Sequence, residues 1–159
     1  IFRLTKGGKL IEGIFKGETI NTPSMLCVED YLQALAWARS VGGLKGLKDR
    51  ANRNAQVIWD FCADRDWIAN LAASDDIRSN TSVCLQFTDP AVAGDAAFAK
   101  AVQKRLEAEG AGLDLGSYRD APPGLRIWCG ATVETSDVEA LMPWIDWAYH
   151  AELDARDAA

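Results

Sequence analysis

The chain has 159 residues, 48% hydrophobic and 25% charged, which is enough apolar material for one domain with a core of its own and too much for a disordered tail. Its 17 Lys and Arg stand against 23 Asp and Glu, a net charge of −6, the wrong sign for gripping nucleic acid or an anionic membrane surface. No apolar run approaches the ~20 residues of a membrane span, and no signal-peptide pattern opens the chain.

Ile1-Phe2-Arg3-Leu4 reads as the middle of a strand or arm, so the chain is expected to be part of a longer polypeptide. Residues 1–21 are Gly-rich and basic, with short apolar pieces (Leu10-Ile11, Ile14-Phe15) that form no self-sufficient unit. They read as hairpins or an arm that packs on something else. Lys6-Gly7-Gly8-Lys9 lacks the spacing of a phosphate loop and reads as a turn with solvated lysines. A first helix is expected from Asn21-Thr22-Pro23, with Thr22 as N-cap and Pro23 at the first helical position. Met25, Val28, Leu32 and Leu35 recur at helical spacing until Gly42-Gly43. A second helix carries Leu44, Leu47, Ala51, Ala55, Ile58 and Cys62 on one stripe and stops near residues 64–66.

The period then changes. Trp67 to Leu71 is a short strand candidate, followed by a polar turn over residues 74–80. From Thr81 to Phe87, Val83, Leu85 and Phe87 alternate with polar partners, a half-buried strand. A helix over residues 95–109 turns Phe98, Val102 and Leu106 inward and stops at Gly110. Leu113 to Ser117 is a further strand candidate, and Tyr118 to Gly124 a loop stiffened by Pro122-Pro123. Leu125 to Val133 carries the strongest alternation, with Arg126 and Trp128 facing away from Leu125, Ile127 and Cys129. Ser136 with Glu139 forms a capping box for a last helix through Val138, Leu141, Ile145 and Tyr149, kinked at Pro143. This order points to an α+β fold with helices on one face of a mainly antiparallel sheet.

Four cysteines (27, 62, 84, 129) stand far apart without a Cys-x-x-Cys, and the single histidine, His150, lies near the end. They read as structural thiols of a reduced, cytoplasmic protein, with no metal site and no His-based nucleophilic triad. Arg126 is the foremost candidate for chemistry, because a guanidinium fixed on a strand is a planar two-point clamp for a carboxylate. Its plain alternative is a solvated arginine on an open sheet face. Tyr118 and Arg119 sit on the loop before it. Asn21-Thr22 at a helix start is a candidate anion or phosphate site, the alternative being only a cap. Trp128, unlike the other five tryptophans, shares the face of Arg126.

The runs Gly17-Glu18-Thr19-Ile20-Asn21-Thr22-Pro23-Ser24-Met25 and Tyr118-Arg119-Asp120-Ala121-Pro122-Pro123-Gly124-Leu125-Arg126-Ile127-Trp128-Cys129-Gly130, with Arg78-Ser79-Asn80-Thr81-Ser82-Val83-Cys84, resemble phosphoserine aminotransferases of the alphaproteobacterial type. The resemblance covers essentially the whole chain and matches only the C-terminal part of such an enzyme. It implies a fold-type I aminotransferase that uses pyridoxal 5'-phosphate and works as a homodimer with the active site at the subunit interface. It further implies that residues 1–28 are the tail of the large cofactor-binding domain. Residues 29–159 would then be the linking helix and the small C-terminal domain.

Within that family Asn21 and Thr22 reach the cofactor phosphate of the neighbouring subunit, and Arg126 binds the substrate α-carboxylate. Tyr118 and Arg119 fall on the loop that holds the substrate's phosphate or side-chain carboxylate, where many relatives have His-Arg. The Schiff-base lysine lies upstream of the matched region, so the chain alone is expected to be inactive. The rival readings are a non-catalytic α+β module binding a small anion through Arg126 and Arg119, and a pure oligomerisation domain.

Overall fold

Gly7 and Gly8 adopt φ of 58° and 77°, the pair of left-handed residues that a two-residue hairpin turn requires. They join β1 (Thr5–Lys6) to β2 (Lys9–Leu10) in an antiparallel hairpin with every strand residue exposed. The expected turn with solvated lysines is therefore present. The computed structural model describes residues 4–19, 21–116 and 118–158, so the strand reading of Ile1-Phe2-Arg3 lies outside the described residues. A 3-10 turn at Glu12–Lys16, ended by Gly17 at φ 94°, follows the hairpin.

Helix α1 (Met25–Ser40) starts later than the sequence suggested. Ser24, not Thr22, is the N-cap, its hydroxyl accepting from the Cys27 N–H at 3.5 Å. Thr22 and Ser24 are both good caps, and with Ser24 extended the proline stays outside the helix. The helix buries none of its residues within this chain; Met25, Val28 and Leu32 are 62%, 40% and 50% exposed. The chain divides into two compact units between Val41 and Gly42, so α1 belongs with the N-terminal one.

The second unit opens at Gly42, whose φ of 101° caps α2 (Gly43–Ala63). Ala51, Ala55, Ile58 and Phe61 of α2 are buried, whereas Leu44, placed on the apolar stripe by periodicity, is 76% exposed. β3 (Ile68–Asn70), β4 (Ser82–Phe87) and β5 (Leu125–Trp128) form one antiparallel sheet in the order β3-β4-β5. Val83 pairs with Ile127, Cys84 with Arg126 and Leu85 with both Asn70 and Leu125. α3 (Ala96–Ala108) is capped by Asp95, which accepts from the Ala97 and Phe98 N–H groups, and α4 (Thr135–Asp157) closes the fold.

One sheet face (Ile68, Val83, Leu85, Phe87, Leu125, Ile127) packs with Ile58, Val102, Leu106, Ile145 and Tyr149 into one core, so the helices cover one face and the α+β expectation holds. Trp67 stacks on Tyr149 with ring centroids 3.8 Å apart, and the Tyr149 hydroxyl donates to Asp89. Gly124 is a close approach: a Cβ there would sit 1.9 Å from the Leu85 carbonyl oxygen.

Three local expectations are corrected. Residues 113–116 form only an isolated bridge, Gly116 to Leu125, and Ser117 lies outside the described residues. β5 ends at Trp128 rather than running to Val133. The reason lies on α2. Buried Asn54 donates to the carbonyls of Cys129, Gly130 and Val133 at 3.1, 3.3 and 2.9 Å, and Arg50 Nε to that of Ala131 at 2.7 Å. Side chains, not a neighbouring strand, satisfy these groups. Finally, α4 begins at Thr135 after Glu134 without a side-chain cap, so the Ser136–Glu139 box does not form. The Thr135 hydroxyl instead donates to Asn54 Oδ1 at 2.7 Å, and the helix continues through Pro143.

Candidate functional site

Strand alternation places Arg126. Leu125 and Ile127 are 1% and 2% exposed beneath the sheet, so Arg126 and Trp128 must project from the other face. That face is not open at Arg126, whose side chain is only 15% exposed. Its Nε–H donates to the Gly116 carbonyl at 3.2 Å, and one Nη donates to Asp114 Oδ2 at 2.9 Å. The centroid of the Tyr118 ring lies 4.5 Å from the guanidinium carbon. The plain alternative of a freely solvated arginine is thereby removed.

Asp114 reaches the guanidinium because its own backbone is left-handed, φ 53°, a conformation aspartate tolerates better than most residues. Its hydrogen bond holds the Arg126 pKa above the ordinary value, so the cation is permanent. Among the described residues the second terminal nitrogen has no hydrogen-bond partner. The group is thus held at its Nε and one Nη, and the other Nη is left to donate to an anion.

Tyr118 and Arg126 are brought together. Arg119 is not with them: its side chain is 93% exposed and lies 3.7 Å from Asp120. Tyr118 and Arg119 instead line an open cleft of about 460 Å³ with Lys100, Gln103, Ala121 and Pro123, in which Arg126 has no part. Lys100, Gln103 and Asp114 were missed in the sequence, since no motif marks them. Their role comes from α3 lying beside the loop, where Gln103 donates to the Gly124 carbonyl at 2.9 Å. Trp128 is 57% exposed on the face of Arg126, as expected.

Asn21, at a bend, and Thr22 are both exposed just before the α1 N-cap, within the N-terminal unit. An exposed amide and hydroxyl beside the free first N–H groups of a helix suit a phosphate. All four cysteines are free; Cys129 is buried, Cys62 and Cys84 half-buried and Cys27 exposed. Burial pushes the Cys62 and Cys129 thiols up to about 11, so neither is a nucleophile near neutral pH.

No protein-family model matches the chain. It is 55% identical over 94% of its length to the phosphoserine aminotransferase of Methanosarcina barkeri, and 56% identical over 94% to that of Methanosarcina mazei. In both cases it spans only 39% of the relative's length. Among solved structures, the phosphoserine aminotransferase from Bacillus circulans subsp. alkalophilus superposes with a TM-score of 0.73 at 21% identity. That match covers 87% of this chain and 36% of the other, and it confirms the fold. The chain is thus a homologue of a C-terminal portion of phosphoserine aminotransferases.

Proposed function

We propose that this chain is the C-terminal part of a phosphoserine aminotransferase, an enzyme of serine biosynthesis in the cytoplasm. The whole protein moves an amino group between glutamate and 3-phosphohydroxypyruvate, giving 2-oxoglutarate and phosphoserine. The homology supports this reading, and the braced presentation of Arg126 is the observation in this chain that carries it.

Arg126 holds the α-carboxylate of the amino acid in a fixed plane, which sets the Cα–H bond in line for proton removal. Asp114 and the Gly116 carbonyl keep the guanidinium from rotating, and the Tyr118 ring stands beside it. Tyr118 and Arg119 border the space taken by the substrate's phosphate or side-chain carboxylate. Asn21 and Thr22 would hold the phosphate of pyridoxal 5'-phosphate in the neighbouring subunit of a homodimer. When bound, that cofactor supplies the electron sink for the departing proton's electron pair. The lysine that anchors it lies upstream of this segment, as do residues of the large domain whose tail is 1–28.

The reading is tested on the full-length enzyme with Arg126→Lys. A lysine keeps the charge and loses the planar guanidinium that Gly116 and Asp114 hold in place. The expected result is a KM for glutamate raised roughly tenfold or more, with cofactor content unchanged. An unchanged KM would remove Arg126 from the substrate site.

A further inference from the structure

The guanidinium of Arg126 already carries a carboxylate, that of Asp114. Its Nη2 donates to Asp114 Oδ2 at 2.9 Å and to the Asp114 carbonyl at 3.5 Å, while Nε–H donates to the Gly116 carbonyl at 3.2 Å. A carboxylate bound at two points takes two N–H groups along one edge of the guanidinium. The Nε edge is in use by the protein, which leaves the edge formed by Nη1 and Nη2. On that edge an incoming carboxylate meets Asp114 at Nη2.

The two partners of this ion pair stand in different surroundings. The Arg126 side chain is 15% exposed and that of Asp114 86%. A carboxylate that is already in water is held weakly, because hydration replaces most of what the pair supplies. When the Asp114 side chain swings out, the backbone carbonyls of Gly116 and of Asp114 itself still hold the guanidinium. The swing is a side-chain rotation and leaves the left-handed backbone of Asp114, φ 53°, as it is. Two carboxylates on one guanidinium repel each other, so the exposed one is the one to leave.

We propose that Asp114 sets how tightly Arg126 takes a carboxylate: its side chain is the resident partner of the guanidinium and is exchanged for the substrate's carboxylate on binding. This role rests on the reading of Arg126 as the substrate clamp, and it adds an opposing charge to that clamp. Because one ion pair is exchanged for another, an anion that makes a single contact gains little. A carboxylate that seats both oxygens is favoured.

The test is made on the full-length enzyme with Asp114→Asn, which keeps an oxygen for Nη2 and the tolerance of a positive φ and removes only the charge. Inhibition by glutarate, which has the carboxylates of glutamate without the reacting amine, reads binding alone. Its inhibition constant should fall about threefold in the variant. The difference should close as sodium chloride is raised, because salt screens a charge and does not restore a lost brace. Asp114→Gly, which suits the same backbone and removes the whole side chain, must move the constant in the same direction. A constant that is unchanged or higher in Asp114→Asn, while Arg126→Lys still weakens glutarate, overturns the proposal and leaves Asp114 as a brace only. If Arg126→Lys leaves glutarate binding untouched, the clamp itself fails and the exchange fails with it.

Discussion

Arg126 shows how one side chain acquires a function from its neighbours. Its projection from β5 follows from alternation alone, but its brace of Asp114, Gly116 and Tyr118 comes from the loop folding back over the strand. The thiols make the same point in a form open to direct measurement. Cys129 and Cys62, with pKa values near 11, are poor thiolates at pH 8, whereas Cys27 is exposed. Iodoacetamide labelling of the folded chain followed by mass spectrometry should therefore mark Cys27 first and Cys129 last. Early labelling of Cys129 would mean that the core opens readily.

At the scale of elements, the junction from β5 to α4 depends on Asn54. From a side chain at 0% exposure, its amide serves three carbonyls and its oxygen takes the Thr135 hydroxyl. Asn54→Ala strands these groups in the core, and a loss of about 2–4 kcal/mol is expected, readable as a lower urea midpoint at unchanged slope. A shift below ~0.5 kcal/mol would show that water replaces the amide without penalty.

The helix caps carry a pH dependence. Backbone N–H bonds, with Arg156, hold the Asp95 pKa below its ordinary 3.8, and the Tyr149 hydroxyl with the Ala91 N–H does the same for Asp89. A depressed folded-state pKa stabilises the protein above the unfolded value, and that contribution is lost as pH falls through the folded value. Thermal scans from pH 6 down to pH 2 should show Tm falling below about pH 4. In Asp95→Asn, which keeps a cap but cannot titrate, the fall should be shallower. An identical profile would exclude Asp95 as a contributor.

At the scale of the whole molecule, the N-terminal unit does not bury its own apolar residues: Leu10, Phe15, Met25, Leu26, Tyr31 and Leu32 are all at least half exposed. Under the proposed function, residues 1–28 would be the tail of a larger domain that covers such residues. Under that reading the chain alone forms no specific adduct with pyridoxal phosphate. Titration followed in the visible, then borohydride reduction and peptide mapping, should yield no stoichiometric single-site product. A single saturable adduct on Lys6, Lys9 or Lys16 would overturn the assignment of the anchoring lysine to an upstream segment.

The sequence by itself determined the helices and strands whose period is long and uninterrupted: α2, α3, β4 and the start of β5. It also located Arg126, because alternation against a buried stripe leaves a side chain only one face to occupy. It misplaced the start of α1 and the end of β5. Thr22 and Ser24 satisfy the same capping preference, and alternation cannot register that Asn54 and Arg50, distant in the chain, take the carbonyls of residues 129–133. Tertiary structure alone decided that Tyr118 stands between Arg126 and the cleft that it lines with Arg119, and that Trp59 and Arg78 share one pocket. Those outcomes rest on contacts between segments far apart in sequence, and periodicity within a segment carries no information about them.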